Sequence, residues 1–68
     1  MRRRNRILAY IRKHGSIRPS DKQAKIDTGF SLKPRKPYNK ISHYLDELCQ
    51  DGIISGVKIR GRWEYHLI

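Results

Sequence analysis

Three histidines, one cysteine, five serines and six carboxylates are the side chains of this 68-residue chain with the chemistry for metal binding, nucleophilic attack or proton transfer. Their spacing argues against all three. His14, His43 and His66 fall in different stretches, and with Cys49 they lack the spacing of a zinc site. Ser16, Ser20, Ser31, Ser42 and Ser55 have no evident base-and-orienter partnership, and the carboxylates are too dispersed to work as a pair. No glycine-rich phosphate loop occurs. The sequence therefore predicts no enzyme, no metal, no cofactor and no small-molecule ligand. The cations cluster instead. Arg2, Arg3 and Arg4 open the chain, Lys33, Arg35, Lys36 and Lys40 gather near its middle, and Arg60-Gly61-Arg62 stands near its end. Between them lie the hydrogen-bonding side chains Tyr38, Asn39, Ser42 and His43. Point charges interleaved with planar and hydroxylic donors and acceptors suit a polyanion.

The charge balance says the same. Sixteen Lys and Arg against six Asp and Glu give a formal charge of +10, which carries a self-repulsion cost that a small domain accepts when a polyanion is waiting. Residues 1–43 hold nearly all the excess, residues 44–54 hold three acids and no base, and residues 55–68 are basic again. In the stretch KPYNKISHYLDELCQDGII, lysines come first and acids last. That order opposes a helix macrodipole, which favours acids at the N-terminus by about 0.3–1 kcal/mol per group.

The elements that must position these side chains follow from period and punctuation. Hydrophobic content is low, at 37%, but periodic, so a folded domain is expected and not a disordered tail. Ile7, Leu8 and Ile11 form the buried stripe of a helix over 4–14, which Gly15 ends. Residues 16–18 are extended, because Pro19 disfavours a helical Arg18. Ser20 with Gln23 predicts a capping box for a short second helix, which Gly29 ends. Residues 30–36 form a connector, which Phe30 and Leu32 are expected to pin to the core. Pro37 suits a first helical turn, so a third helix is predicted over 37–51, with Tyr38, Ile41, Leu45, Leu48 and Cys49 on one side. A hairpin closes the chain. A three-residue loop, 60–62, would pair Ile59 with Trp63, Val57 with Tyr65, Ile54 with Ile68 and Lys58 with Glu64; a two-residue loop would instead oppose Val57 to Glu64. The three-residue loop is preferred, and Trp63 is expected in the core. The whole, residues 1–68, reads as a single domain, with 1–5 as a basic N-terminal arm.

A lone cysteine excludes an intrachain disulfide and fits a reducing compartment. No apolar run approaches the ~20 residues of a membrane span, and the N-terminus does not resemble a secretory signal. A cytoplasmic, nucleoid-associated or otherwise intracellular location is expected.

In order, these elements resemble the winged helix-turn-helix family, an α+β fold of three helices followed by a C-terminal β-hairpin wing. ILAYIRKHGSI resembles its first helix and first short strand. ISHYLDELCQDGII resembles the end of its recognition helix, with the Leu-x-x-Leu-x-x-x-Gly-x-Ile rhythm at Leu45, Leu48, Gly52 and Ile54. VKIRGRWEYHLI resembles its wing. One departure stands out: the turn between helices two and three normally has about three or four residues, whereas here it runs from Gly29 to Pro37 and carries Lys33, Arg35 and Lys36. The resemblance implies sequence-specific binding of double-stranded DNA by a small transcriptional regulator, with helix 37–51 in the major groove. Lys36, Asn39, Lys40 and His43 would project opposite Ile41, Leu45 and Leu48, accompanied by Tyr38 and Ser42. Asn suits an adenine edge, and Lys a guanine acceptor or a phosphate. The wing tip Arg60-Gly61-Arg62 would reach backbone or minor groove, and Arg2, Arg3 and Arg4 would bind phosphate. A reader this small suggests a homodimer on two half-sites. Three alternatives stay open: an RNA-binding or ribonucleoprotein subunit, a winged-helix protein-interaction module docking an acidic partner, and a nonspecific architectural protein.

Overall fold

Ile7 and Ile11, one turn apart, are both almost wholly buried and commit the first helix to the core. The computed structural model describes residues 2–68. In chain order it contains helices α1 (Arg3–His14) and α2 (Lys22–Asp27), a single 3-10 turn (Pro37–Asn39), helix α3 (Ile41–Gln50) and strands β1 (Ile54–Ile59) and β2 (Arg62–Leu67). The α+β order of three helices followed by an antiparallel hairpin matches the sequence expectation. The basic arm is shorter than expected, because Arg3, Arg4 and Asn5 are already helical. Among the described residues, no helix is long and apolar enough to cross a membrane.

After Gly15 the chain runs extended past β2. Ile17 exchanges both backbone hydrogen bonds with Tyr65, at 3.0 and 2.9 Å, which adds a one-residue bridge to the hairpin's outer edge. A turn closed by Asp21 N–H to the Arg18 carbonyl (3.1 Å) then leads into α2. The cap is Asp21, not Ser20: its carboxylate accepts from the Gln23 N–H at 3.0 Å. Gln23, expected to complete a capping box, instead donates to Asp27 at 2.8 Å. Ala24 and Thr28 face the core, and the Thr28 hydroxyl donates to the Ala24 carbonyl at 2.7 Å, so the buried oxygen is satisfied. Ile26 is exposed.

The connector is pinned by Phe30 alone. Its N–H donates to the Lys25 carbonyl at 2.8 Å, and its ring meets Tyr44 edge-on at 5.2 Å, while Leu32 stays exposed. The expected third helix over 37–51 breaks at Lys40, whose backbone is extended (ψ 144°). Pro37–Asn39 forms only the tight turn, with Asn39 N–H to Lys36 and Lys40 N–H to Pro37. The physical reason is burial: Tyr38 points out and is 53% exposed, so the apolar period begins only at Ile41 and continues through Leu45 and Leu48.

The hairpin turns on two residues, not three. Ile54 pairs with Leu67, Gly56 with Tyr65, Val57 with Glu64, Lys58 with Trp63 and Ile59 with Arg62. Arg60 and Gly61 both have positive φ (52° and 81°), the primed-turn geometry that matches strand twist. The buried Tyr65 ring explains the register. It lies over Gly56, where a Cβ would sit 2.8 Å from Tyr65 Cε1; the expected register would have put Val57 there. Lys58 and Glu64 are therefore not cross-strand partners. Trp63 is not core either: it stacks beside Tyr65, with centroids 6.2 Å apart, and remains 47% exposed.

Gly56→Ala should destabilise the domain by about 1–3 kcal/mol through overpacking, read as a lower thermal midpoint. Val57→Ala, at an exposed position, should stay within about 0.5 kcal/mol of wild type. A neutral Gly56→Ala together with a costly Val57→Ala would restore the three-residue register.

Candidate nucleic-acid interface

Helix α3 as formed carries no lysine or arginine. Its exposed residues are Ser42, His43, Asp46 and Gln50. The cations expected on its outward face precede it: Lys36 stands before the 3-10 turn and Lys40 is the helix N-cap. Asn39, the last residue of the turn, is half-buried. The helix therefore presents its N-terminal end, and not its length, to anything the lysines bind.

That end has a defined environment. Lys40 and Ser42 share a groove with Lys25, Ser31, Leu32 and Pro34. Lys25, on α2, is a member that sequence reasoning missed. It arrives because the chain folds back from Gly29 onto the Lys25 carbonyl. The Lys36 ammonium lies 5.7 Å from the Tyr38 ring centroid, within cation–π range. Lys33 and Arg35 stand exposed on the same connector. Among the described residues, none of Lys25, Lys33, Arg35, Lys36 and Lys40 forms an ion pair.

The opposite end of α3 is acidic, and one of its carboxylates is tied to α1. Asp51 pairs with Arg4, and His43 Nε2 lies 3.1 Å from Glu47 Oε1. His43 is thus turned along the helix towards Glu47, with its ring edge-on to Tyr44. Arg3 lies over the rings of Phe30 and Tyr44, at 5.3 and 6.0 Å from their centroids. The arginines expected to form a free phosphate-binding arm are therefore largely engaged in packing, leaving Arg2 exposed at the α1 N-cap.

The hairpin tip supplies the second group of cations. Arg60 and Arg62 line a cleft together with Arg18, Ile59 and Glu64, while Gly61 completes the turn. Burial pushes the Glu64 carboxyl up, but hydrogen bonds from Arg18 and Ser16 and the charges of Arg18 and His66 hold it below its ordinary value. Arg18 is the other contributor that sequence reasoning passed over. Cys49, by contrast, has its thiol pushed up by burial and by Asp46, which disfavours the reactive thiolate.

Along α3 the side-chain charges and the helix dipole add. The positive pole carries Lys40 with Lys36 and Lys25 nearby, and the negative pole carries Asp46, Glu47 and Asp51. An anion placed at the N-terminal end is attracted by both contributions. No known protein family, curated protein or solved structure matches this chain.

Lys40 occupies a capping position in cap-compatible extended geometry without capping anything. Lys40→Asp should supply the missing cap and stabilise the domain by about 0.5–2 kcal/mol, raising the thermal midpoint. If this end of α3 contacts a nucleic-acid backbone, the same change should weaken that binding by about tenfold at 0.1 M salt, through one lost phosphate contact. A stabilised variant with unchanged affinity would remove this end of α3 from the interface.

Proposed function

We propose that this chain is a winged helix-turn-helix domain that binds double-stranded DNA as a small transcriptional regulator. The observation that carries the reading is the segregation of charge. At the C-terminal end of α3 Asp51 pairs with Arg4 and Glu47 lies against His43, whereas the cations at its N-terminal end have no ion-pair partner among the described residues. In helix-turn-helix docking, the N-terminal residues of the recognition helix meet the base edges. Here Asn39, Ser42 and His43 hold that place, with Asn39 suited to adenine. Lys33, Arg35, Lys36, Lys40 and Lys25 would engage the flanking phosphates, and Arg60 and Arg62 would reach backbone or minor groove. Such contacts position the protein more than they read sequence. A pair of copies on two half-sites would extend the few base pairs one domain can cover.

The exposed rings of Tyr38 and Trp63 favour a second reading, an RNA-binding domain, because unstacked bases pack on such rings. Competition of duplex DNA against structured RNA for the same labelled probe separates the two.

With roughly five phosphates neutralised, the logarithm of the DNA association constant should fall with the logarithm of salt at a slope of about −4.5. Replacing both Arg60 and Arg62 by Ala should lower affinity for all duplexes by a similar factor and make the slope shallower. A slope near zero, or a double variant that changes the preferred sequence at unaltered affinity, would contradict the proposal.

A further inference from the structure

The Ile17–Tyr65 bridge sets Arg18 across from Glu64, and the hairpin register sets Glu64 across from Val57. Ile17 and Tyr65 face the core, so their neighbours Arg18 and Glu64 project from the other side of the sheet. Ile59 and Arg62, opposite one another one step nearer the tip, share that side. Arg18 donates from both Nε and Nη2 to Glu64 Oε2, at 3.2 and 3.1 Å. His66 Nε2 lies 3.3 Å from the other oxygen, Oε1, and His66 Nδ1 lies 3.3 Å from the Gly15 carbonyl. The Glu64 side chain is 14% exposed, while the Arg18 side chain it holds is 56% exposed.

We infer that the cleft lined by Arg18, Arg60, Arg62, Ile59 and Glu64 is a phosphodiester-binding site, with Arg18 as a phosphate ligand and Glu64 as its positioning residue. Three guanidiniums against one carboxylate leave the cleft cationic. A guanidinium has five N–H donors, and Glu64 takes two of those on Arg18, leaving three. Forks arriving from two separate segments suit a tetrahedral anion, whose several oxygens accept from more than one of them. Holding Arg18 in place beforehand lowers the ordering cost of binding. The nucleic-acid reading supplies the identity of the anion, a backbone phosphodiester; the cleft itself would also take inorganic phosphate.

The test uses a labelled DNA duplex, titrated across a range of KCl concentrations with wild type, Arg18→Ala, Glu64→Ala, Glu64→Gln and the Arg18→Ala/Glu64→Ala double variant, thermal midpoints being measured alongside. Lys13→Ala, in the last turn of α1, controls for loss of one charge remote from the cleft. Arg18→Ala should make the salt slope shallower by about one and weaken binding by about eightfold at 0.1 M salt. Glu64→Ala should weaken binding in the wild-type background and have no effect once Arg18 is gone. Glu64→Gln, whose amide oxygen still accepts, should keep most of the affinity. Tighter binding by both Glu64 variants would overturn the positioning role, and an Arg18→Ala slope no different from that of Lys13→Ala would overturn the site. Should Arg18→Ala fail to fold, Arg18→Met serves in its place: it keeps an aliphatic stem but loses the charge and every donor, so the effect of Glu64→Ala should vanish in that background, and its persistence would overturn the pairing. Arginine Nε–H resonances followed during addition of inorganic phosphate, against KCl of equal ionic strength, separate the two readings. Selective shifts at Arg18, Arg60 and Arg62 in a protein that binds no duplex would keep the anion cleft and defeat the nucleic-acid reading; no shifts and no duplex binding would defeat both.

Discussion

Two backbone hydrogen bonds between Ile17 and Tyr65 hold the segment after α1 against β2. A two-stranded hairpin alone is marginal in water, and this bridge gives it a third neighbour while burying both side chains. Much of the remaining structure follows from it. The Tyr65 ring, committed to the core, needs a glycine across the hairpin, and Gly56 meets that need only in the two-residue-loop register. Arg18, next to Ile17, comes to lie beside Glu64. The turn from Arg18 to Asp21 then places the α2 cap at once, so the first and second helices are joined through the sheet.

The distribution of charge along α3 sacrifices stability. A lysine at the N-cap forgoes a capping bond worth about 0.5–2 kcal/mol and sets a cation at the positive pole. For a domain of this size, whose net stability is a small difference between large terms, that loss is appreciable. The acids at the far end recover part of it elsewhere. Asp51 brings a carboxylate to the first turn of α1, which has none of its own, through Arg4. One ion pair thus ties the acidic pole of α3 to α1, and the basic pole stays open. A helix arranged only for stability would reverse the order.

The order of elements was legible in the sequence because apolar period and glycine punctuation agree for α1, the later part of helix three and both strands. The structure departs from the sequence pattern where several local patterns are compatible. Ser20 and Asp21 are both good caps, and only the turn closed on Arg18 selects Asp21. Tyr38 sits three residues before Ile41, a helical spacing, yet faces solvent, so the helix starts later than the period suggests. Both hairpin registers alternate apolar and polar residues; the choice between them depends on Tyr65 needing space over Gly56, a tertiary fact. The candidate site suffered accordingly. The connector and wing-tip cations were visible as clusters, but Lys25 and Arg18 join them only through the folding back at Gly29 and the Ile17 bridge. The basic arm is shorter than expected for a related reason: Arg3 and Arg4 find aromatic rings and a carboxylate that lie distant in sequence.

In the proposed function α3 meets its ligand end-on, through its basic pole and the hairpin tip, and not along its exposed side. Backbone amide resonances recorded during titration with a DNA duplex address this residue by residue. Shifts should concentrate at residues 31–43, 16–18 and 58–64 and leave residues 46–51 nearly unmoved. Shifts centred on Asp46, Gln50 and Asp51, with the connector and hairpin tip silent, would contradict it.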